Sequence, residues 1–388
     1  MTTLSAEWLH GPAAQAVAAA LEAGGHQALF VGGCVRNTLL GAPVTDLDLA
    51  TDARPGRVTA LAEAAGLKAV PTGIDHGTIT VVHDHAPIEV TTFRADVETH
   101  GRHATVRFSG DVSEDAHRRD FTMNALYADA RGSVLDPVGE GLADLAARRL
   151  RFVGDAQARV HEDYLRILRF FRFHAWYADP AGGMDPDALA ACAEGAGGLA
   201  RISAERIGGE TKKLLAAPDP ARAVAAMARA GVLAQILPGA DPEPLARLVH
   251  LAPERHEAIL RLAALGGESA PERLRLSRAE TRRLEVLRAA ATGTAGPGEL
   301  AWRHGADAAR EALALRAALL GSPLPEGAEA ELAAGAGAVF PVTAADLMPR
   351  WQGPALGARL KELERAWIAS GFTADRATLL ALPPRDGP

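Results

Sequence analysis

The chain is 388 residues long and 48% hydrophobic, enough to fill two or three separately packed cores. A formal net charge of −7 excludes recruitment of nucleic acid by a global basic field, so any grip on RNA must come from local arginine clusters. The only two cysteines, Cys34 and Cys192, offer neither a disulfide framework nor a metal-ligand spacing, which favours a reducing, cytoplasmic setting.

The opening stretch MTTLSAEWLHGPAAQAVAAALEAGG lacks the basic start and apolar centre of a signal peptide and reads as an amphipathic helix ending at Gly24. No run of about 18 apolar residues is present to span a membrane, so no membrane partner is expected. Up to residue 150, strand-like runs (QALFV, TDLDLAT, GTITVVH, APIEVTTF, MNALYAD) alternate with helical patches at 34–40, 56–66 and 113–119, which predicts a mixed α/β domain. From 155 onward the chain turns to Ala, Leu, Arg and Glu at helical spacing, broken by PDP, PGADPEP, GTAGPG and GSPLPEG. Those breaks predict successive helical subdomains with no strict repeat.

The stretch LFVGGCVRNTLLGAPVTDLDLAT, residues 29–51, couples a glycine turn to a short helix and then to paired carboxylates. Gly32 and Gly33 let backbone approach a ligand, the following helix start presents free N–H groups, and Arg36 adds a fork of donors, a combination suited to polyphosphate. Asp46 and Asp48, read as strand residues, fall on one face while Leu47 and Leu49 face the core. Two such hard oxygen ligands suit Mg²⁺, and Glu89 on the later strand PIEVTTFR is a candidate third carboxylate or simply a polar residue on an exposed face. His83, Asp84 and His85 read as a solvated hairpin turn.

Further along, RRDFTMNALYAD places Arg118 and Arg119 at a helix end, where they cap the helix or reach a nucleotide's phosphate or ribose. DPVGEGLADLAARRLRFVG, residues 136–154, reads as a structural junction. On a helical wheel, HEDYLRILRFFRF (161–173) forms one amphipathic helix: Tyr164, Ile167, Leu168 and Phe171 make the apolar stripe, with Glu162, Arg166, Arg169 and Arg172 opposite and Asp163 at the edge. By itself that pattern reads first as an ordinary amphipathic helix whose polar face is laced with ion pairs. FRADVETHGRHATVRF, residues 93–108, keeps no sustained period and reads as a basic loop.

Taken in order, GGCVR, DLD, RRDFTMNAL, DPVGEGLADL, EDYLRILRFFRF and RISAERIGGE resemble the class II tRNA nucleotidyltransferases, CCA-adding enzymes and bacterial poly(A) polymerases of the polymerase-β-like superfamily. The resemblance runs from residue 29 to about 215 and departs at Asn37, where the family commonly has aspartate, and at GEG (139–141), where it more often has paired glycines. It implies an α/β nucleotidyltransferase head with a mixed sheet over 1–150, a helical nucleotide-recognition neck over 151–217, and a helical, RNA-binding body and tail over 218–388. It further implies a two-metal Mg²⁺ site on Asp46 and Asp48, with Gly32, Gly33 and Arg36 holding triphosphate and Arg119 the nucleotide's sugar and phosphate. Asp163 and Arg166 would read the base, with Arg169 and Arg172 completing a basic wall. The expected activity is template-independent addition of C, C and A to tRNA, with CTP and ATP as substrates. A poly(A) polymerase, a partial CC- or A-adding enzyme, or an inactive RNA-binding module are the alternatives. The basic stretch 93–108 matches in position a flexible loop that full CCA-adding enzymes carry. The sequence leaves the oligomeric state open.

Overall fold

A computed structural model describes residues 2–74, 77–98 and 105–384. After α1 (Pro12–Ala23), β1 (Leu29–Val31) is buried throughout, and β2 (Asp48–Thr51) pairs with it antiparallel, Leu29 opposite Ala50. Between them lies α2 (Gly33–Leu39), and α3 (Pro55–Ala64) follows β2 with a proline in its first turn. β3 (Lys68–Gly73), β4 (Thr78–His83) and β5 (Ala86–Thr92) complete one side of the sheet. β4 and β5 alternate buried and exposed residues, as a sheet with one covered face requires. Asp84 and His85, both at positive φ, make the two-residue turn between them.

A separate hairpin of β6 (Arg94–Glu98) and β7 (Thr105–Phe108) precedes α4 (Val112–His117), β8 (Tyr127–Ala128) and β9 (Val134–Leu135). The seven-stranded sheet runs β3-β4-β5-β2-β1-β8-β9, and the β2–β5 pair is its parallel junction, which makes the sheet mixed. Behind that junction a core of Leu29, Val31, Ala50, Phe93, Ala125, Tyr127 and Val153 closes over α4.

α5 (Gly141–Ala146), α6 (Ala156–Glu162), α7 (Leu165–Tyr177), α8 (Pro186–Glu194) and α9 (Ala204–Leu215) carry the chain away from the sheet. α7 is knitted to the sheet domain by clustered phenylalanines: Phe121 lies tilted 4.9 Å from Phe152 and 5.2 Å from Phe173, centroid to centroid, and Phe152 stacks on Phe170 at 5.8 Å. Two units result, Met1–Ile236 and Leu237–Pro388. The second is built from helices, with a single isolated bridge between Ala240 and Gly266 among its described residues, one core around Leu300, Leu313 and Leu332 and another around Trp351, Leu363 and Trp367. Among the described residues no helix is long and apolar enough to cross a membrane.

Three local expectations are corrected, and one strand is added. Asp46 lies ahead of β2, which begins at Asp48, so the two carboxylates are not fellow strand residues. Residues 161–173 are not one helix: α6 ends at Glu162, and Asp163 is extended, with φ −150°. Its carboxylate accepts from the Leu165 N–H, the local side-chain bond by which Asp competes with helix continuation. The flanks of 93–108 are paired strands, with Arg94 opposite Phe108; the loop proper, including His100, Arg102 and His103, lies outside the described residues. β3 was not anticipated because Pro71 and Gly73 sit in it, which an edge strand tolerates.

Candidate active site

The parallel β2–β5 junction sets Asp48 directly beside Glu89. Both carboxylates are exposed, as is Asp46, whose Oδ2 accepts from the Thr45 hydroxyl at 2.9 Å. Asp48 is held above the usual carboxylate range, first by the protein mass crowding it and then by Glu89 and Asp46, against the pull of Arg119. A positive charge there would relieve this repulsion. Among the described residues no group of three His, Cys, Asp or Glu converges as a self-sufficient metal cage. That arrangement suits an ion such as Mg²⁺, which takes one or two protein carboxylates and completes its shell from phosphate oxygens and water. The residues therefore fit a divalent cation.

Asp46 and Asp48 line a cleft of about 330 Å³ together with Gly33, Arg36, Arg172 and Tyr177. Gly32, at φ 72°, makes the turn into α2; a side chain there would touch the Arg119 guanidinium at 3.5 Å. Arg36 is only 5% exposed. It donates to Asn37 Oδ1 at 2.8 and 3.1 Å, to the Tyr177 hydroxyl at 2.9 Å and to Asn124 Oδ1, and its guanidinium lies 4.0 Å over the Tyr177 ring. All of these hydrogen-bond partners are neutral, and burial lowers the arginine's proton affinity. Asn37 thus accepts from Arg36 without bringing a compensating charge, and the nearest compensating carboxylate acting on Arg36 is Asp120, with which it makes no direct hydrogen bond.

Arg119 is fixed by a triangle: its Nε donates to Tyr127 Oη at 2.9 Å, its Nη2 to Asp115 Oδ2 at 3.0 Å, and the tyrosine hydroxyl to the same carboxylate oxygen at 2.8 Å. Burial works against charge here, yet Tyr127 and Asp115 outweigh it, so Arg119 stays firmly protonated and Asp115 stays below its usual range.

The arginines of α7 are likewise engaged. Arg169 Nε donates to buried Asp120 at 2.7 Å, and Asp120 also accepts from Asn124 and from the Phe121 N–H, each at 2.9 Å. Burial would raise Asp120, but these partners bring it down to about 2. Arg172 Nε meets Glu210 at 2.6 Å. Arg166 donates to Glu162 and to the carbonyls of Arg159 and Arg118, and Asp163 is paired with Arg206 at 2.6 Å rather than with Arg166. Arg36, Asn124, Asp120, Arg169, Glu210 and Arg172 are therefore one continuous polar chain joining the sheet domain to α7 and α9.

Residues 28–151 match the family model described as poly A polymerase head domain, and residues 183–243 match that described as a probable RNA and SrmB-binding site of polymerase A. Over 91% of its length the chain matches the crystal structure of the Bacillus stearothermophilus CCA-adding enzyme in complex with CTP, itself covered to 91%, at 31% identity and a TM-score of 0.69. The chain belongs to the CCA-adding enzymes. Among curated relatives it is 44% identical over 191 residues to the mitochondrial CCA tRNA nucleotidyltransferase 1 of Homo sapiens, covering 49% of this chain and 44% of that one. To the CCA-adding enzyme of Geobacillus thermodenitrificans it is 43% identical over 217 residues, 55% of this chain and 52% of that one. The alignments thus span about half the length of these curated relatives.

CCA-adding enzymes are nucleotidyltransferases of the polymerase-β-like superfamily, a group that generally uses a divalent metal. The structure gathers Gly33, Arg36, Asp46, Asp48 and Arg172 around one cleft and sets Gly32, Arg119 and Glu89 against it. Asp163 and Arg166 stand apart, at the opposite end of α7 from Tyr177. The sequence analysis did not single out Asp115, Asp120, Asn124, Tyr127, Tyr177, Arg206 and Glu210 for site roles. Their types are ordinary, and only their distances to the arginines reveal them.

Proposed function

We propose that this chain adds C, C and A to the 3′ end of tRNA, taking CTP and ATP and releasing pyrophosphate. The observation that carries the reading is the cleft where Asp46 and Asp48 face Arg36, a buried guanidinium with only neutral hydrogen-bond partners. Carboxylates for a cation and a guanidinium with no directly bonded carboxylate, open to phosphate, stand side by side, as transfer from a nucleoside triphosphate requires. Asp46 and Asp48 would hold Mg²⁺, with Glu89 adding negative charge from the next strand. When bound, the metal supplies Lewis acidity to the attacking oxygen and to the departing pyrophosphate. Gly33 leaves room for phosphate against backbone, Arg36 and Arg172 bind it, and Arg119 stands braced for the sugar and α-phosphate. The RNA 3′-hydroxyl oxygen attacks the α-phosphorus, the bond to the bridging oxygen breaks, pyrophosphate leaves, and the hydroxyl proton is lost to solvent.

Base choice falls to Asp163 and Arg166. Cytosine and adenine both present an amino donor beside a ring-nitrogen acceptor; a carboxylate accepts from the first and a guanidinium donates to the second. Both side chains keep capacity for this: a carboxylate has about four lone-pair sites and a guanidinium five N–H donors, not all of them used here. Guanine and uracil reverse the pattern and would set a carbonyl oxygen against Asp163. The reading places the reaction in the cytoplasm.

Incubation of the protein with tRNA ending at the discriminator base, Mg²⁺ and single nucleoside triphosphates tests it. CTP should add two residues, and ATP one residue after them. A long tail from ATP alone would instead make the chain a poly(A) polymerase, and no transfer under any condition would make it a binding module.

A further inference from the structure

Trp176 lies near the C-terminal end of α7 and is 41% exposed, whereas Phe173, one turn earlier, is buried and Tyr177 is half-buried against it, ring centroids 5.4 Å apart. Its indole Nε1 donates to the Lys213 carbonyl at 2.8 Å, which pins the ring without burying it. Trp176 lines both the candidate cleft and a second cavity of about 230 Å³ lined also by Arg148, Pro180 and Arg222. Lys213 and Arg148 are exposed, and among the described residues neither side chain has a hydrogen bond or ion pair. A pinned, exposed aromatic face flanked by two uncommitted cations is the composition of a single-stranded nucleic-acid platform, in which a base stacks and the backbone is met by charge.

Position identifies the strand. The base-reading pair proposed above lies at the start of α7, and Trp176 follows Arg166 by ten residues, ~15 Å along the helix axis. One nucleotide does not bridge that span with its base at Arg166 and again at Trp176. Asp46 and Asp48 share a cleft with Trp176 and not with Asp163. We infer that Trp176, with Lys213 and Arg148, seats the 3′-terminal nucleotide of the RNA acceptor, stacking its base and holding its backbone so that its 3′-hydroxyl faces the paired carboxylates. Trp176 is in this sense a positioning residue for the acceptor, and the inference rests on the nucleotidyltransfer reading.

The test uses the full chain, ATP and a synthetic tRNA acceptor-stem minihelix ending in CC. Trp176→Ala should raise KM for the minihelix about tenfold, the weight of one base–aromatic stack, with KM for ATP and kcat near parental values. Trp176→Phe should restore most of the loss, whereas Trp176→Leu, which keeps apolar volume without a stacking face, should not. A minihelix whose last nucleotide is abasic should lose the same factor with the parent protein and nothing further with Trp176→Ala. Lys213→Ala should flatten the dependence of log affinity on log salt by about 0.7. An unchanged minihelix KM in both the Ala and Leu variants, or a rise in KM for ATP instead, overturns the assignment. Absence of transfer by the parent protein would count against the nucleotidyltransfer reading itself; normal transfer by the parent with normal minihelix KM in the variants removes only the platform.

Discussion

Asp48 is crowded by two other carboxylates, and Asp46 stands two residues ahead of it on the same cleft. Asp46→Asn or Asp48→Asn should cut nucleotide transfer by at least 10³-fold, because one hard ligand is lost, while tRNA binding persists. Near-parental turnover of either variant at saturating Mg²⁺ would remove the metal assignment. Asp163 is a different case: it is partly exposed, its carboxylate accepts from the Leu165 N–H, and it is paired with Arg206. Asp163→Ala should cost about 1 kcal/mol or less in stability, yet admit UTP and GTP, measured as misincorporation on tRNA ending at the discriminator base. If exclusion of UTP and GTP is undiminished, Asp163 does not read the base. These residue types at these spacings could be singled out from the sequence as candidates. Their partners could not, since Arg169 meets Asp120, Arg172 meets Glu210 and Arg206 meets Asp163 across 38 to 49 residues of chain.

At the scale of elements, the break between α6 and α7 decides where Asp163 points. Tyr164 fills it against Gly198, where an added Cβ would come within 2.1 Å of the tyrosine ring. Gly198→Ala should destabilise the protein by about 1–3 kcal/mol through overpacking and, by displacing Tyr164, should also weaken discrimination among bases. A melting curve together with the misincorporation assay checks both; a stable variant with intact discrimination would show that the break is not set by this contact. The Asp120–Arg169 pair joins the segment after α4 to α7. Because Asp120 is depressed to about 2 from an ordinary 3.8, its contribution, about 2 kcal/mol, is complete above pH about 4 and is lost as pH falls toward 2. Arg169→Leu should therefore destabilise by about 3 kcal/mol at neutral pH, unfold at a higher pH on acidification, and be partly rescued by Asp120→Asn. An acid-unfolding midpoint identical to the parent's would show the pair to be without weight.

At the scale of the molecule, the core around Phe93 and Tyr127 lies wholly in Met1–Ile236, and the cores around Leu313 and Trp367 lie wholly in Leu237–Pro388. All of the candidate site belongs to the first unit. A chain ending at Ile236 should therefore fold and bind CTP and ATP with parental affinity, while its affinity for tRNA falls at least tenfold if the second unit is the RNA-holding body proposed for it. Equilibrium dialysis with labelled CTP and a filter assay with tRNA separate the two readouts; undiminished tRNA affinity would assign RNA binding to the first unit alone.

Local chemistry was legible in the sequence. A glycine turn that only an uncrowded backbone can make, carboxylates at a two-residue spacing, and arginines three apart on a helix each carry their meaning in a few neighbouring residues, and their order along the chain indicates the family. Tertiary structure alone decided which charges are spent. Six arginines look equivalent as sequence, but Arg119 and Arg169 are braced by buried carboxylates, Arg172 and Arg206 are paired with Glu210 and Asp163, Arg166 is bound to Glu162 and two carbonyls, and Arg36 is left among neutral partners. Nothing in local sequence separates them, because Coulomb interaction and desolvation depend on distance and burial in space, and folding brings together groups that the chain keeps far apart.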